Sequence, residues 1–360
     1  MIEIKDRELH IHFPEIEAML GEGFDTELAR LRGGKRRPHW PSEEGISAQR
    51  RRLISTRIAI SFQRTLRIPD DGKEYPLPAG LGRFPIEHVD DYADRLPPAW
   101  KRHGGVMIPL YQREALWLNF DGSYPTALRV GTGKVCCVTG EAWSDRLSKK
   151  SQNYLALPEQ PWLDGYVVAK GTIRQFVATP VGRGATVEEQ LTGRAEWNGM
   201  QLQAFPLKAE VYLEQQLFPA LREWIDNFNR PMSPPDIMFS MAAPMSDYSV
   251  NEMEMGFGAG GRMKQEIYED RWSPEAYCRK STSRCFVHLL NARQWQTVTD
   301  KAPPVSPVTE ESYRHARLPW FLHYSEQPGV EASEKLAGIR SVEDILDPSK
   351  TGQPNLDGDW

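Results

Sequence analysis

Two short segments place charged side chains inside otherwise apolar, strand-like sequence. Arg113 and Glu114 lie in LYQREALWLNF, whereas Asp164 and Arg174 lie in PEQPWLDGYVVAKGTIRQF. An ionised side chain in such a strand must be paired or solvated. Glu114 and Asp164 in one pocket would form an acid–base pair for a small polar substrate, with Arg113 or Arg174 stabilising an anionic intermediate. Buried structural ion pairs and a turn-capping aspartate explain the same residues without any chemistry.

The same region supports a binding site without catalysis. Trp162 and Asp164 are predicted to lie on a turn that ends at Gly165, and Gln175 follows in the next strand. An indole beside polar groups at a strand edge can hold a polar small molecule or anchor a protein partner. The chain is rich in tryptophan, with 11 residues, and several lie beside predicted turns. We therefore expect a binding or interaction module, with the enzyme as the alternative.

A glycine-rich stretch, GFGAGG at 256–261, has the spacing of a dinucleotide-binding turn. That turn requires a buried apolar strand before the glycines, whereas the preceding SVNEMEM is half charged. The alternation on both sides predicts a β-hairpin centred on Gly258, with Glu254 opposite Arg262. Gly258, Gly260 and Gly261 would then form a mobile tip whose backbone amides contact a ligand. A phosphate-binding nest is the second interpretation, and a Rossmann turn is disfavoured.

Strand-like runs occupy most of the middle of the chain. From Arg57 onward, β-branched and aromatic segments are cut at regular short intervals by glycine, proline and aspartate. This rhythm predicts a β-rich α+β protein, a large antiparallel β-sandwich or distorted barrel with a few helices packed on its edge. Residues 1–56 are predicted to form a helical N-terminal extension with a basic linker, 57–346 a single large β-rich domain, and 347–360 a C-terminal tail.

Helical spacing appears in three places. Apolar residues within 14–32 predict one helix, and those within 213–228 predict another that is kinked or restarted at Pro219. Ser341 is predicted to cap a short terminal helix.

Composition disfavours several classes of partner. The net charge of −5 gives no general reason to bind nucleic acid, and the basic clusters at 35–37 and 50–52 fit a solvated linker better than a nucleic-acid arm. No run of about 18 apolar residues predicts a membrane span. The N-terminal sequence lacks an export signal, so the four cysteines indicate reduced thiols in a cytoplasmic protein. No cysteine or histidine spacing, His10 and His12 included, matches a metal site, and no cofactor is identified.

Five strings extend the interpretation beyond single residues. QRTLRIPDDG, YQREALW, PWLDG, GAGGRMKQEIYED and LPWFLHYSE resemble a family of uncharacterised bacterial and fungal proteins. The resemblance runs from about Arg57 to Val342 and implies that these residues form one unit. It implies no activity, cofactor or catalytic residue.

Overall fold

The computed structural model of the chain describes residues 1–34, 40–228, 255–305, 308–316, 320–321 and 328–346. Three sequence predictions concern residues outside these ranges: the basic cluster at 35–37, the 252–254 arm of the glycine hairpin and the 347–360 tail. The first and the last of these stay predictions.

Strands make up much of the described chain, and they range from two to ten residues in length. They are β1 (Ile2–Lys5), β2 (Glu8–Ile11), β3 (Ile58–Thr65), β4 (Glu74–Tyr75), β5 (Leu77–Pro78), β6 (Gly80–Arg83), β7 (Glu87–His88), β8 (Val106–Pro109), β9 (Ala115–Asp121), β10 (Thr126–Thr132), β11 (Val135–Cys136), β12 (Leu155–Leu157), β13 (Trp162–Leu163), β14 (Gly165–Ala169), β15 (Thr172–Pro180), β16 (Met200–Pro206), β17 (Met255–Lys264), β18 (Ser283–Leu290) and β19 (Trp320–Phe321).

The helices are mostly short and lie between the strands. They are α1 (Pro14–Gly33), α2 (Glu43–Ile54), α3 (Pro98–His103), α4 (Val187–Thr192), α5 (Ala209–Tyr212), α6 (Phe218–Asn227), α7 (Ala292–Thr299), α8 (Glu310–His315), α9 (Glu334–Ala337) and α10 (Val342–Leu346). Two short 3₁₀ helices, at Asp90–Arg95 and Pro274–Ala276, and a π-helical turn at Leu213–Leu217 complete the helical segments of the described chain.

The strands form two large sheets and one small one. The ten-stranded sheet follows the order β1-β2-β3-β9-β15-β17-β4, with β13 on β9, β14 on β15 and β6 on β3. The seven-stranded sheet follows β11-β10-β16-β18-β8-β7, with β12 on β10, and β19 pairs with β5. Only β17–β4 and β18–β8 are parallel among the described strand pairs. The predicted β-rich α+β class is confirmed, although the described strands do not close into a barrel.

One hydrophobic core serves both large sheets. Leu118 and Phe176 from the ten-stranded sheet and Val130 and Leu202 from the seven-stranded sheet belong to the same buried cluster. Burying each such side chain contributes about 1.5–3 kcal/mol. The shared core fixes one face of β9 and leaves the opposite face for the site described below. The predicted domain limits are not tested by this packing and stay a prediction.

The N-terminal segment contains a hairpin that the sequence analysis missed. β1 and β2 are joined by the two-residue loop Asp6-Arg7, in which both residues have positive φ, as a twisted two-residue hairpin turn requires. β2 then pairs with β3, so the hairpin extends the ten-stranded sheet. The helix predicted within 14–32 is confirmed as α1.

The other two helix predictions are also confirmed. The π-helical turn separates α5 from α6 directly before Pro219, which lies in the first turn of α6 and has no N–H for the preceding turn. At the start of α10, the Ser341 Oγ accepts a hydrogen bond from the Asp344 backbone N–H at 2.9 Å. No helix within the described ranges is both long enough and apolar enough to cross a membrane.

Candidate functional site

A small pocket lies where β9, β13 and β5 meet. Its volume is about 170 Å³. It is lined by Leu77, Pro78, Trp117, Asn119, Trp162 and Asp164. Two residues predicted from the sequence, Trp162 and Asp164, therefore lie together in one concave site, beside an indole and an amide that were not predicted.

The alternation of β9 explains why the pocket forms here. Leu116 and Leu118 are fully buried in the shared core, so the residues that alternate with them project from the opposite face of the sheet. Trp117 and Asn119 are those residues, and both are partly exposed. β13 pairs antiparallel with β9 and sets Trp162 directly opposite Asn119. The predicted turn at Trp162 is thus a short strand.

Asp164 is the ionisable group of the pocket. It is 2% exposed, and its Oδ2 accepts a hydrogen bond from Gln265 Nε2 at 2.8 Å. The Asp164 backbone N–H donates to Gln265 Oε1 at 3.0 Å, so one amide fixes both the main chain and the carboxyl group. Burial raises the pKa of Asp164 to about 7, and the hydrogen bond from Gln265 opposes this shift only in part. Among the described residues, no cationic side chain contributes to its pKa.

Trp117 and Asn119 add two further polar groups to the pocket lining. The Trp117 Nε1–H is buried and has no partner among the described residues. The Asn119 side chain is partly exposed at the pocket, so its amide can meet a ligand. Trp117 packs against Gly80, where an added Cβ would lie 3.3 Å from the indole. The indole is therefore held in place by close packing while its N–H lacks a partner.

Glu114, the second carboxyl of the predicted acid–base pair, does not line this pocket. Its Oε1 accepts from the Arg64 guanidinium at 2.8 and 3.0 Å, and its Oε2 accepts from the Tyr111 backbone N–H at 3.0 Å. Burial raises the pKa of Glu114, and the charge of Arg64 opposes that shift. Asp164 lines this pocket without Glu114, so the predicted acid–base pair stays a prediction.

Arg174 and Gln175 serve a structural purpose. Arg174 Nη1 lies 3.2 Å from Asp70 Oδ1 and donates to the Gly260 carbonyl at 3.0 Å. Gln175 is fully buried, donates to the Leu66 carbonyl at 2.9 Å and accepts from the Ile68 N–H at 2.8 Å. Neither residue lines the pocket of Trp162 and Asp164, and their polar atoms instead hold the 66–70 segment against the sheet.

Arg113 lies at a tight corner before β9. Its φ is 64°, in the left-handed region, and its backbone N–H donates to the Ala178 carbonyl at 2.7 Å. It does not line the pocket of Trp162 and Asp164. The corner positions the start of β9, so Arg113 contributes to the site through the main chain.

The predicted glycine hairpin is wrong. Met255 to Lys264 form one continuous strand, β17, and Gly258 pairs with Val177 of β15 in its middle. Arg262 lies opposite Arg174 of β15 on one side and Glu74 of β4 on the other, in place of the predicted hairpin register.

Neighbouring chain covers these glycines closely. An added Cβ would lie 2.4 Å from Val342 Cγ2 at Gly258, 2.6 Å from Val177 Cγ2 at Gly260, and 2.4 Å from the Pro69 carbonyl oxygen at Gly261. The three glycines permit close packing and do not form a ligand-binding tip.

Sequence reasoning missed Asn119 and Gln265, and it treated Trp117 only as one of several tryptophans near predicted turns or strand ends. Trp117 and Asn119 carry a readable signal, because they are the outward positions of the alternating segment ALWLNF. Gln265 has no such signal, since it directly follows β17 and meets Asp164 only through the tertiary fold.

Comparison with family models, with curated proteins and with solved structures finds no match to this chain. The resemblance carried by the five sequence strings therefore stays a prediction. The argument for function rests on the pocket itself.

Proposed function

We propose that this protein is a non-catalytic binding module that holds a small polar ligand by an ammonium group in the pocket of Trp117, Asn119, Trp162 and Asp164. The observation that carries the proposal is a buried carboxyl group with an amide partner, no cationic partner and two indoles beside it. This observation restricts the predicted class of polar ligands to those that carry a positive charge.

Charge compensation is the first argument. A buried carboxylate is costly unless it is paired, and Asp164 responds with a pKa raised to about 7. An ammonium group in the pocket would supply the missing opposite charge and a charge-assisted hydrogen bond. Binding would therefore draw Asp164 into its ionised form near neutral pH.

The two indoles give the second argument. A cation within about 6 Å of a tryptophan face gains about 0.5–2 kcal/mol, with the larger value where the site is desolvated. Trp117 and Trp162 both line the pocket, and the Asn119 amide lies between them along β9 and β13. The Asn119 amide suits a neighbouring hydroxyl or carbonyl group of the same ligand.

The size of the pocket restricts the ligand. A volume of about 170 Å³ is below the ~300 Å³ at which pockets for drug-sized ligands begin. The pocket suits one small headgroup, such as an alkylammonium with a short polar arm.

Titration of the full-length protein with choline and with ethanolamine, followed by tryptophan fluorescence, tests the proposal. We expect a saturable signal with at least one of these probes and none with the uncharged choline isostere in which carbon replaces nitrogen. Asp164→Asn should weaken binding by about 10- to 100-fold, because it removes a charge-assisted interaction. Trp162→Ala should weaken it by about 2- to 30-fold.

Asp121→Asn is the matched control, because Asp121 ends the same strand but pairs with Arg57 outside the pocket. It should bind like the wild type. Equal binding of the charged probe and its neutral isostere, absence of binding by both amines, or undiminished binding by Asp164→Asn would each contradict the proposal.

A further inference from the structure

Three side chains with metal-ligating atoms meet on one face of the N-terminal hairpin. Glu3 of β1 lies opposite His10 of β2, and His12 follows two residues after His10. Residues two apart on a strand project to the same side, and directly opposed residues do so as well. The hairpin therefore brings together Glu3, His10 and His12, which the sequence analysis had not recognised as a metal site.

The donor atoms are close enough to share one ion. One ligand atom from each of the three residues lies within 4.8 Å of the other two. Glu3 Oε1 and His12 Nε2 are 2.9 Å apart, and the two imidazole centroids are separated by 6.2 Å. Two ligands bound tetrahedrally to Zn²⁺ at about 2.0–2.1 Å are themselves about 3.3 Å apart. Small side-chain rotations suffice to reach that arrangement.

From this geometry we infer that Glu3, His10 and His12 form a binding site for a divalent transition-metal ion of the Zn²⁺ class. Two imidazoles and one carboxylate are a ligand set that Zn²⁺ accepts, with a water in the fourth tetrahedral position. The nitrogen donors favour Zn²⁺, Cu²⁺, Ni²⁺ and Co²⁺ over Mg²⁺ and Ca²⁺, which prefer oxygen ligands.

The backbone holds the ligands in place before any ion binds. Leu9 and Ile11, on the opposite face of β2, are fully buried in the core. β2 also pairs with β3 through Leu9, His10 and Ile11. A metal ion thus meets a preformed strand pair, so little ordering is required on binding.

Charged neighbours of the three ligands compensate one another. Glu8 Oε2 lies 3.3 Å from His10 Nε2, and Glu8 also pairs with Arg83 at 2.9 Å. On the other side, Arg57 approaches the His10 ring at 3.5 Å and pairs with Asp121 at 2.8 Å. These two ion pairs are neutral overall, so neither offsets the Glu3 carboxylate. The Met1 ammonium, which donates to the His12 carbonyl at 2.9 Å, is a further positive charge beside the site.

The fourth coordination position has room. A cleft of about 490 Å³ begins at Glu3 and His12 and is also lined by Glu17 and Arg50. A water on the metal can therefore exchange with solvent.

Isothermal titration of the metal-free, full-length protein with Zn²⁺ tests the inference, and the Co²⁺ absorption spectrum reports coordination geometry. We expect one ion per chain and a tetrahedral Co²⁺ spectrum. His12→Ala should lower Zn²⁺ affinity by at least about tenfold, and Glu3→Gln should lower it as well. These two residues are the better variants because their side chains are 27% and 50% exposed, whereas that of His10 is buried.

His315→Ala is the control, because this exposed histidine lies on α8 and pairs only with Glu311 among the described residues. It should bind Zn²⁺ like the wild type. Absence of saturable binding, or equal affinity in wild type and a folded His12→Ala variant, would overturn the site and, in the second case, direct attention to the cysteines. Circular dichroism of each variant establishes that it is folded.

Discussion

Glu114 and Asp164 are both buried carboxyl residues at the ends of strands in the same sheet, and each is 2% exposed. Their partners differ. Glu114 meets the Arg64 guanidinium and a backbone N–H, whereas Asp164 meets one neutral amide, that of Gln265. Glu114 lies in a closed corner of the fold, and Asp164 lines a pocket.

The two carboxyl groups are distinguished by their partners: the structural one has a cationic partner, whereas the candidate binding group lacks one. Burial raises the pKa of both carboxyls, so the shift alone does not distinguish them. The distinction comes from the neutral partner of Asp164, in place of a cation, and from the pocket that Asp164 lines. Polar groups that a fold leaves incomplete at a cavity are candidates for completion by a ligand.

The largest effect is expected from breaking the closed corner. Glu114→Ala should destabilise the protein by about 3–5 kcal/mol, because it leaves the Arg64 guanidinium without its partner in a partly buried site. Urea unfolding followed by circular dichroism measures this change. Choline or ethanolamine binding should persist in the folded fraction. A loss of stability below about 1 kcal/mol would show that the ion pair is not what closes this corner.

Asp164→Asn should stabilise the protein at neutral and alkaline pH, in contrast to Glu114→Ala. The pKa of Asp164 in the folded protein is about 7, above its ordinary value of 3.8, so the folded state holds the proton more tightly. Stability from this group is present below about pH 4 and is lost as the pH rises through 7, by at most about 4.5 kcal/mol at about 1.4 kcal/mol per pKa unit.

Asparagine mimics the protonated form and retains an oxygen for the Gln265 amide. The variant should therefore match the wild type at pH 4 and exceed its stability at pH 8, as urea unfolding at the two pH values would show. A variant that is less stable than the wild type at pH 8 would assign Asp164 to the structural group with Glu114. Gain of stability with loss of binding is the signature of a residue kept for function.

The sequence allowed part of the site and much of the fold class to be predicted. The alternation of apolar and polar residues predicted the strands, and the segment PWLDG indicated Trp162 and Asp164 as candidate site residues. Trp117 and Asn119 join them only because β13 pairs with β9 in one register, which a single sequence does not specify. The same limit applies to the metal ligands, since Glu3 and His10 are neighbours only across a hairpin turn.

Local pattern also misassigned some residues for a physical reason. Gln175 resembles a cleft residue because it is polar within a strand, yet both ends of its amide meet backbone groups at 66 and 68. The glycines of β17 resemble a turn because the sequence shows their small size but not the chain that packs on them. In each case the deciding contact comes from a distant segment.

The smallest loss of stability is expected from a substitution at Gly261, which tests whether the 66–70 segment is packed as tightly as the corner around Glu114. An added Cβ would lie 2.4 Å from the Pro69 carbonyl oxygen, so Gly261→Ala must push this segment away from the sheet. We expect a loss of about 1–3 kcal/mol in the free energy of unfolding, typical of overpacking. Gly33→Ala is the control, because nothing lies within 4 Å of its added Cβ.

The same variant separates the two regions by their binding. Gly261 does not line the pocket, but it lies on β17, and Gln265, which directly follows that strand, holds Asp164. Its substitution should therefore weaken amine binding less than Asp164→Asn does. A Gly261→Ala protein as stable as the Gly33→Ala control would mean that the 66–70 segment moves aside freely. The glycine-bearing surface of β17 would then be adaptable, as the predicted ligand-contacting tip required. The tightly packed part of the fold would no longer include the 66–70 segment.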